Sequence, residues 1–143
     1  LDDALEILRW RNDADSVKFS RKGMIHNRSE HFDWFSKILA SNTDFLYVGE
    51  FGKVLAGMVR FSKIDKESIY EISINVAPEF RGIGIGTKII YLSELELLKE
   101  IGKSTISATV FKNNKSSINI FNKNNYVIFC ETEETIEFRK NLI

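Results

Sequence analysis

The chain has 143 residues, 20 of them basic and 20 acidic, and is 43% hydrophobic and 12% aromatic, which is a globular composition and excludes a disordered one. A net charge of zero argues against nucleic acid as the main partner, because phosphate backbones demand a basic excess, and no apolar run approaches the ~18 residues that cross a bilayer. The single cysteine excludes an internal disulfide, and with two widely separated histidines it makes no metal-site spacing.

From the N-terminus, "DDALEILRWRND" reads as a helix, with acids in its first turn and Ala4, Leu5 and Leu8 as its apolar positions. "SVKFSRKGMIH" is irregular or only partly helical. "NRSEHFDWFSKILAS" reads as a second helix, capped by Asn27 or Ser29, with Phe32, Phe35, Ile38 and Leu39 at helical spacing. "DFLYVGEF" and "KVLAGMVRFSKI" flank Gly52 as a hairpin. The short polar "DKE" leads to a third strand, "SIYEISINVA", with Ile72, Ile74 and Val76 on one face and Glu71, Ser73 and Asn75 on the other. Pro78 has no N–H for a ladder and ends it. The strongest helix runs from Ile85 to Ile101, with Ile85, Ile89, Leu92, Leu95 and Leu98 along one side and Gly102 as its C-cap. "STISATVF" is a strand, "NKSSINIFNK" a short helix, and "YVIFCE" with "TIEFRKNL" a closing antiparallel pair. Cys130, inside the apolar "YVIFC", is expected as a buried structural thiol. The order predicts an α+β fold over 1–143 as a single domain: a mixed, mostly antiparallel sheet with helices on its faces.

The stretch "RGIGIG", Arg81 to Gly86, carries the most chemistry. A dinucleotide fingerprint needs a third glycine where Thr87 stands, and a P-loop needs a G-K-[ST] that is absent. What remains is a strand–turn–helix anion cradle. Alternate glycines let the backbone approach a bulky anion, the following helix adds about half a positive charge at its N-terminus, and Arg81 adds a full charge at the rim. The bland reading is a glycine-rich turn that serves only tight packing.

"INVAPEFRGIGIGTKII" resembles the acetyl-CoA-binding motif of the GNAT superfamily of N-acetyltransferases, [Q/R]-x-x-G-x-G/A after a strand ending in Val-x-Pro, with Arg81, Gly84 and Gly86 at the matching positions. "NKSSINIFNKNNY" resembles the family's second signature, and the element order matches over nearly the whole chain. The resemblance implies a sheet with one splayed parallel pair, between the strand ending at Val76 and "STISATV". The pantetheine arm of acetyl-CoA would lie in that gap along Asn75 and Val76. Its pyrophosphate would meet Arg81 and the amides of Gly82, Ile83, Gly84, Ile85, Gly86 and Thr87. Asn114, Ser117 and Phe121 would border the rest of the coenzyme, and Lys112, Lys115 and Lys123 either meet its outer phosphates or form a solvated face. No metal is implied.

The implied reaction is direct attack of a primary amine on the thioester, which needs an oxyanion donor, a base and a proton for the thiolate. Backbone N–H near Val76 is the family's usual donor. Glu71, on the strand bordering the acetyl group, is the candidate base, with an ordinary cross-strand polar residue as the alternative. His31 is a second candidate, with a surface histidine as the plainer expectation. Where many relatives carry a tyrosine that protonates the thiolate, this chain has Phe121. The acceptor pocket should be built by the first two helices, their loop and the hairpin. "LRWRNDADSVKFS" with "HFDWF" resembles the branches that acetylate nucleotide-linked amino sugars, as in pseudaminic acid formation, or the N-termini of ribosomal proteins. Arg9, Arg11, Asn12, His31, Trp34 and Glu71 are the expected acceptor contacts, and a UDP-linked amino sugar the preferred acceptor. A non-catalytic CoA-binding module is the rival reading. The expected setting is cytoplasmic, as no signal-peptide pattern opens the chain, with no membrane or nucleic-acid partner and a monomer or homodimer. Leu1 in place of Met suggests a piece cut from a larger protein.

Overall fold

The computed structural model describes residues 2–19, 26–64 and 67–143. In chain order they form α1 (Asp2–Arg11), α2 (Ala14–Phe19), α3 (Arg28–Ala40), β1 (Asp44–Phe51), β2 (Val54–Lys63), β3 (Ile69–Val76), a 3-10 turn (Pro78–Phe80), α4 (Ile85–Ile101), β4 (Ser104–Phe111), α5 (Lys115–Lys123), β5 (Val127–Glu131) and β6 (Thr135–Leu142). One six-stranded sheet runs β1-β2-β3-β4-β6-β5, antiparallel throughout except for the β3–β4 pair. The long crossover α4 is what a parallel neighbour requires. No helix among the described residues is long and apolar enough to cross a membrane. The expected "SVKFSRKGMIH" segment is helical through Phe19, and its stretch 20–25 lies outside the described residues.

Strand alternation sorts the core into two halves. Val59, Phe61, Tyr70, Ile72, Ile106 and Phe138 meet α4 and α5 on one face. Met58 and Ala77 meet α1 and α3 on the other. Asn27 caps α3, its side-chain oxygen accepting from the Glu30 N–H at 2.8 Å, and Asn114 caps α5 in the same way through the Ser117 N–H at 3.2 Å.

Three buried faces differ from the expected stripes. In α1 the inward positions are Ala4, Ile7 and Trp10, each 0% exposed, and Leu5 faces outward. In α3 His31 joins Phe35 and Ile38 inside, whereas Leu39 is exposed. In α4 the buried line is Gly86, Ile89, Ile90, Ser93, Glu94 and Leu97, and Leu92 and Leu95 are exposed. Two of those inward residues are polar because partners wait for them. Ser93 Oγ donates to the Ile89 carbonyl at 2.7 Å. Glu94 accepts from the Tyr126 hydroxyl at 2.7 Å and pairs with Lys140 Nζ at 2.7 Å. A pattern that counts only apolar spacing sends such residues outward. Cys130 is likewise not buried but exposed. β5 is an edge strand whose residues are all exposed, so an apolar sequence there does not mean a core position.

Candidate active site

β3 and β4 pair over only three positions, Ile69 with Thr105, Tyr70 with Ile106 and Glu71 with Ser107. Beyond them the strands part, while β3 stays on β2 as far as Val76 and β4 stays on β6 as far as Phe111. The Ala77 N–H donates to the Ala56 carbonyl at 2.7 Å. By antiparallel alternation the main-chain groups of Val76 and Ile74 therefore point the other way, into the gap between β3 and β4. The first turn of α4 closes the far end. A Cβ on Gly86 would lie 2.8 Å from Ile120 Cδ1 and 3.2 Å from Val76 Cγ2, so the helix sits close against the end of β3 and α5 at this glycine, and a larger residue would have to push those side chains aside. The result is a cleft of about 720 Å³.

At this end the cleft is lined by Gly82, Gly84, Gly86 and Thr87. Gly82 (φ +79°) and Gly84 (φ +84°) are left-handed, and open space lies where their Cβ atoms would be. Here the glycines serve backbone conformation, and Gly86 serves close packing. The Lys88 N–H is the first to close onto the α4 turn, at 3.3 Å from the Gly84 carbonyl. The amides of Ile85, Gly86 and Thr87 have no intrahelical acceptor and stand at the positive end of a 17-residue helix. That mouth can hold a diphosphate. The side chain of Ile83 points away, 63% exposed, and that of Ile85 packs against the core.

Arg81 corrects one expectation. Its charge is not left at the rim for a phosphate. Nη1 pairs with Asp13 at 2.5 Å, Nη2 reaches Ser16 Oγ at 3.1 Å, and Nε donates to the Val76 carbonyl at 3.0 Å. Asn75 Oδ1 joins the same group by accepting from Ser16 Oγ at 3.2 Å. The Arg81 hydrogen bond holds the Asp13 carboxyl below its ordinary range. The arginine thus ties the end of β3 to the α1–α2 corner.

Asn114, Ser117, Phe121 and Lys123 line the β4–α5 side. Phe121 is 2% exposed, edge-on to Tyr126 at 5.0 Å and stacked near Phe138 at 6.0 Å, so it packs rather than donates. Tyr126 does not replace the missing acid. Burial, with Glu94 beside it, raises its hydroxyl well above the usual tyrosine range.

At the opposite end Glu71, Ser73, Arg11, Trp34, Met58 and Arg60 line the cleft. The Arg11 guanidinium lies 4.0 Å from the Trp34 ring centroid, and Arg60 lies 5.6 Å from it. Arg60 was not among the sequence candidates. Its strand position, in register with Ser73, brings it there, and only the β2–β3 register reveals that. His31 and Asn12 are not brought to the cleft. His31 is 1% exposed; Nε2 donates to the Ala4 carbonyl at 2.6 Å and Nδ1 accepts from Arg11 at 3.0 Å. Burial, and Arg11 beside it, lower its pKa, and neither ring nitrogen is available to take a substrate proton. The expectation of a surface histidine is also overturned. Asn12 clamps the backbone of His26, donating to its carbonyl at 2.9 Å and accepting from its N–H at 2.6 Å. Arg9 binds Glu6 and Glu79 on the surface. Among the described residues no cluster of His, Cys, Asp or Glu could hold a metal ion.

A strand gap with main-chain groups turned into it, closed by a glycine turn at a helix mouth, is a feature of the fold as a whole. The sequence profile of the acetyltransferase (GNAT) family matches residues 4–126. The chain belongs to that family. As a GNAT acetyltransferase it is an acetyl-CoA-dependent N-acetyltransferase, and acetyl-CoA is its co-substrate. Acetyltransferase PseH of Campylobacter jejuni is 22% identical over 130 residues, 90% of this chain and 79% of that protein. The structure of PseH in complex with acetyl coenzyme A has a TM-score of 0.75 at 15% identity, covering 99% of this chain and 92% of that one. Spermidine N-acetyltransferase from Vibrio cholerae, in complex with CoA and spermine, has a TM-score of 0.84 at 16% identity over 99% of this chain and 90% of that one. RimL, a ribosomal L7/L12 alpha-N-protein acetyltransferase in complex with coenzyme A, has a TM-score of 0.82 at 12% identity over 96% and 86%. These likenesses carry the GNAT fold.

Proposed function

We propose that this GNAT domain acetylates the primary amine of a nucleotide-linked amino sugar, with the coenzyme in the β3–β4 gap and the acceptor at the Glu71 end. One observation carries the reading: the strands separate directly after Glu71 and Ser107, so a carboxylate stands where the gap begins. Acetyl-CoA supplies the thioester carbonyl that the amine attacks. The Ile74 N–H, turned into the gap and three residues along β3 from Glu71, donates to the oxygen as its charge grows. The amides of Ile85, Gly86 and Thr87 hold the diphosphate, and Asn114, Ser117 and Phe121 border the arm. Glu71 takes the amine proton as the C–N bond forms. The C–S bond breaks to release a thiolate, and water protonates it, since Phe121 has no proton to give. The likeness to PseH supports the amino-sugar acceptor.

The test is thiol release from acetyl-CoA with a panel of UDP-linked 4-amino sugars, ribosomal N-terminal peptides and polyamines. Glu71→Gln should lower kcat by about a hundred-fold or more without loss of acetyl-CoA binding. An unchanged rate removes Glu71 as base. A peptide or polyamine turned over faster than every amino sugar removes the acceptor assignment.

A further inference from the structure

Among the described residues, the Glu71 end of the cleft gathers more basic than acidic side chains around Trp34. Arg11, from the last turn of α1, gives its two terminal nitrogens to His31 Nδ1 at 3.0 Å and His26 Nδ1 at 3.2 Å. Both acceptors are ring nitrogens, not carboxylates. Its guanidinium lies against Trp34, an uncharged ring. Arg60 comes from β2 toward the same ring, and its Nε is buried without a hydrogen-bond partner. Among the described residues neither arginine is ion-paired. Glu71, one strand over, offsets at most one of the two charges.

Such an arrangement is costly in an empty protein. Two like charges share a partly buried wall, and burial together with Arg60 holds Arg11 down to about 10. Arg11 stays charged at neutral pH, so its cost is relieved by an anion and not by losing a proton. Two guanidinium groups beside an aromatic ring match the charge and oxygen count of a phosphate or diphosphate better than a single carboxylate. A polyamine would meet repulsion here.

We propose that Arg11 and Arg60, gathered on Trp34, form a subsite for phosphate oxygens carried by the acceptor, so that the amine acetylated by this enzyme is tethered to a phosphate or diphosphate. The spacing follows from the sheet. Arg60 stands opposite Ser73, two residues from Glu71 on the same face. The diagonal is on the order of 7 Å between Cβ atoms, so the amine and the anion are separated by something the size of a sugar ring. The inference rests on the acyl-transfer reading only for where the amine sits.

The experiment is calorimetric titration of uridine diphosphate into the protein saturated with CoA, which keeps the α4 mouth filled. The wild type should bind it. Arg60→Gln should weaken binding by roughly ten- to a hundred-fold, and Arg60→Lys, which keeps the charge but loses the fork, by less. Thermal melts and retained CoA binding establish that both variants are folded. In turnover, the wild type should prefer a UDP-linked 4-amino sugar to the same sugar without its nucleotide, and Arg60→Gln should collapse that preference. No binding of uridine diphosphate by the folded wild type, or equal binding by Arg60→Gln, overturns the subsite. So does preference for a carboxylate-bearing amine or for spermidine. Binding that depends on Arg60, with transfer to no amine at all, leaves the subsite standing and overturns the acceptor reading.

Discussion

The two ends of the cleft are built from different materials. At the α4 end, the proposed coenzyme site is main chain: two left-handed glycines, a third at a close helix contact, and three amides at a helix mouth. At the Glu71 end the proposed acceptor site is side chains drawn from four separate elements, Arg11, Trp34, Arg60 and Glu71. A main-chain site is encoded locally and reads the one feature every acetyl-CoA carries. A side-chain site is assembled by packing and can change residue by residue without disturbing its neighbour. This is the physical reason one fold can keep its donor and vary its acceptor.

Breaking the main-chain end should have the largest effect. Gly84→Val forces a β-branched residue into φ +84°. The strain is about 2 kcal/mol, and relaxing it turns the amides away, so acetyl-CoA affinity should fall by tens-fold in calorimetry. If Gly84→Val binds acetyl-CoA like the wild type, the main-chain account of this end is wrong.

The link between the ends can be tested next. Arg81 joins the Val76 carbonyl to Asp13. Asp13→Asn should cost about 1 kcal/mol and raise the acceptor KM more than the acetyl-CoA KM, because it frees the α1–α2 corner and leaves the glycine turn intact. The pH sign follows from the lowered Asp13 pKa. The pair contributes stability above the ordinary carboxyl value of 3.8, and that contribution is lost as pH falls through the folded value. Wild type and Asp13→Asn should therefore converge in melting temperature in acid. An equal rise in both KM values would show that Arg81 serves the coenzyme directly.

The smallest effect concerns His31. Its folded pKa is lowered from 6.5 by burial, so the unfolded chain takes up the proton first. Its contribution to stability is complete above 6.5 and declines as pH falls toward the folded value. Melting curves should show that decline in the wild type and not in His31→Gln. A pH-independent difference between the two would mean that His31 carries its proton in the folded state.

Much of the donor end was legible in sequence. Val76, Pro78 and "RGIGIG" state a strand end, a stop and a helix start within eleven residues, which is local, whereas the pairing of Arg81 with Asp13 is not. The helix over Ile85–Ile101 and the capped helix after Asn114 were legible for the same reason. The acceptor end was legible only in part. Arg11 and Trp34 could be named because their helices were recognised, but His31 turned inward to Ala4 and Asn12 was taken up by the His26 backbone. Arg60 gave no signal, since an arginine on a strand looks the same whether it faces water or a cleft.

By itself, then, the sequence determined the order of elements and the strand–turn–helix at the glycines, both consequences of neighbouring residues on one chain, while the splayed parallel pair was legible only through the family resemblance. Only the tertiary structure decided that β3 and β4 part after three pairs, that Arg81 faces Asp13, and that two arginines meet on one tryptophan. Those outcomes depend on partners far apart in the chain, whose burial and charge exist only once the sheet has formed.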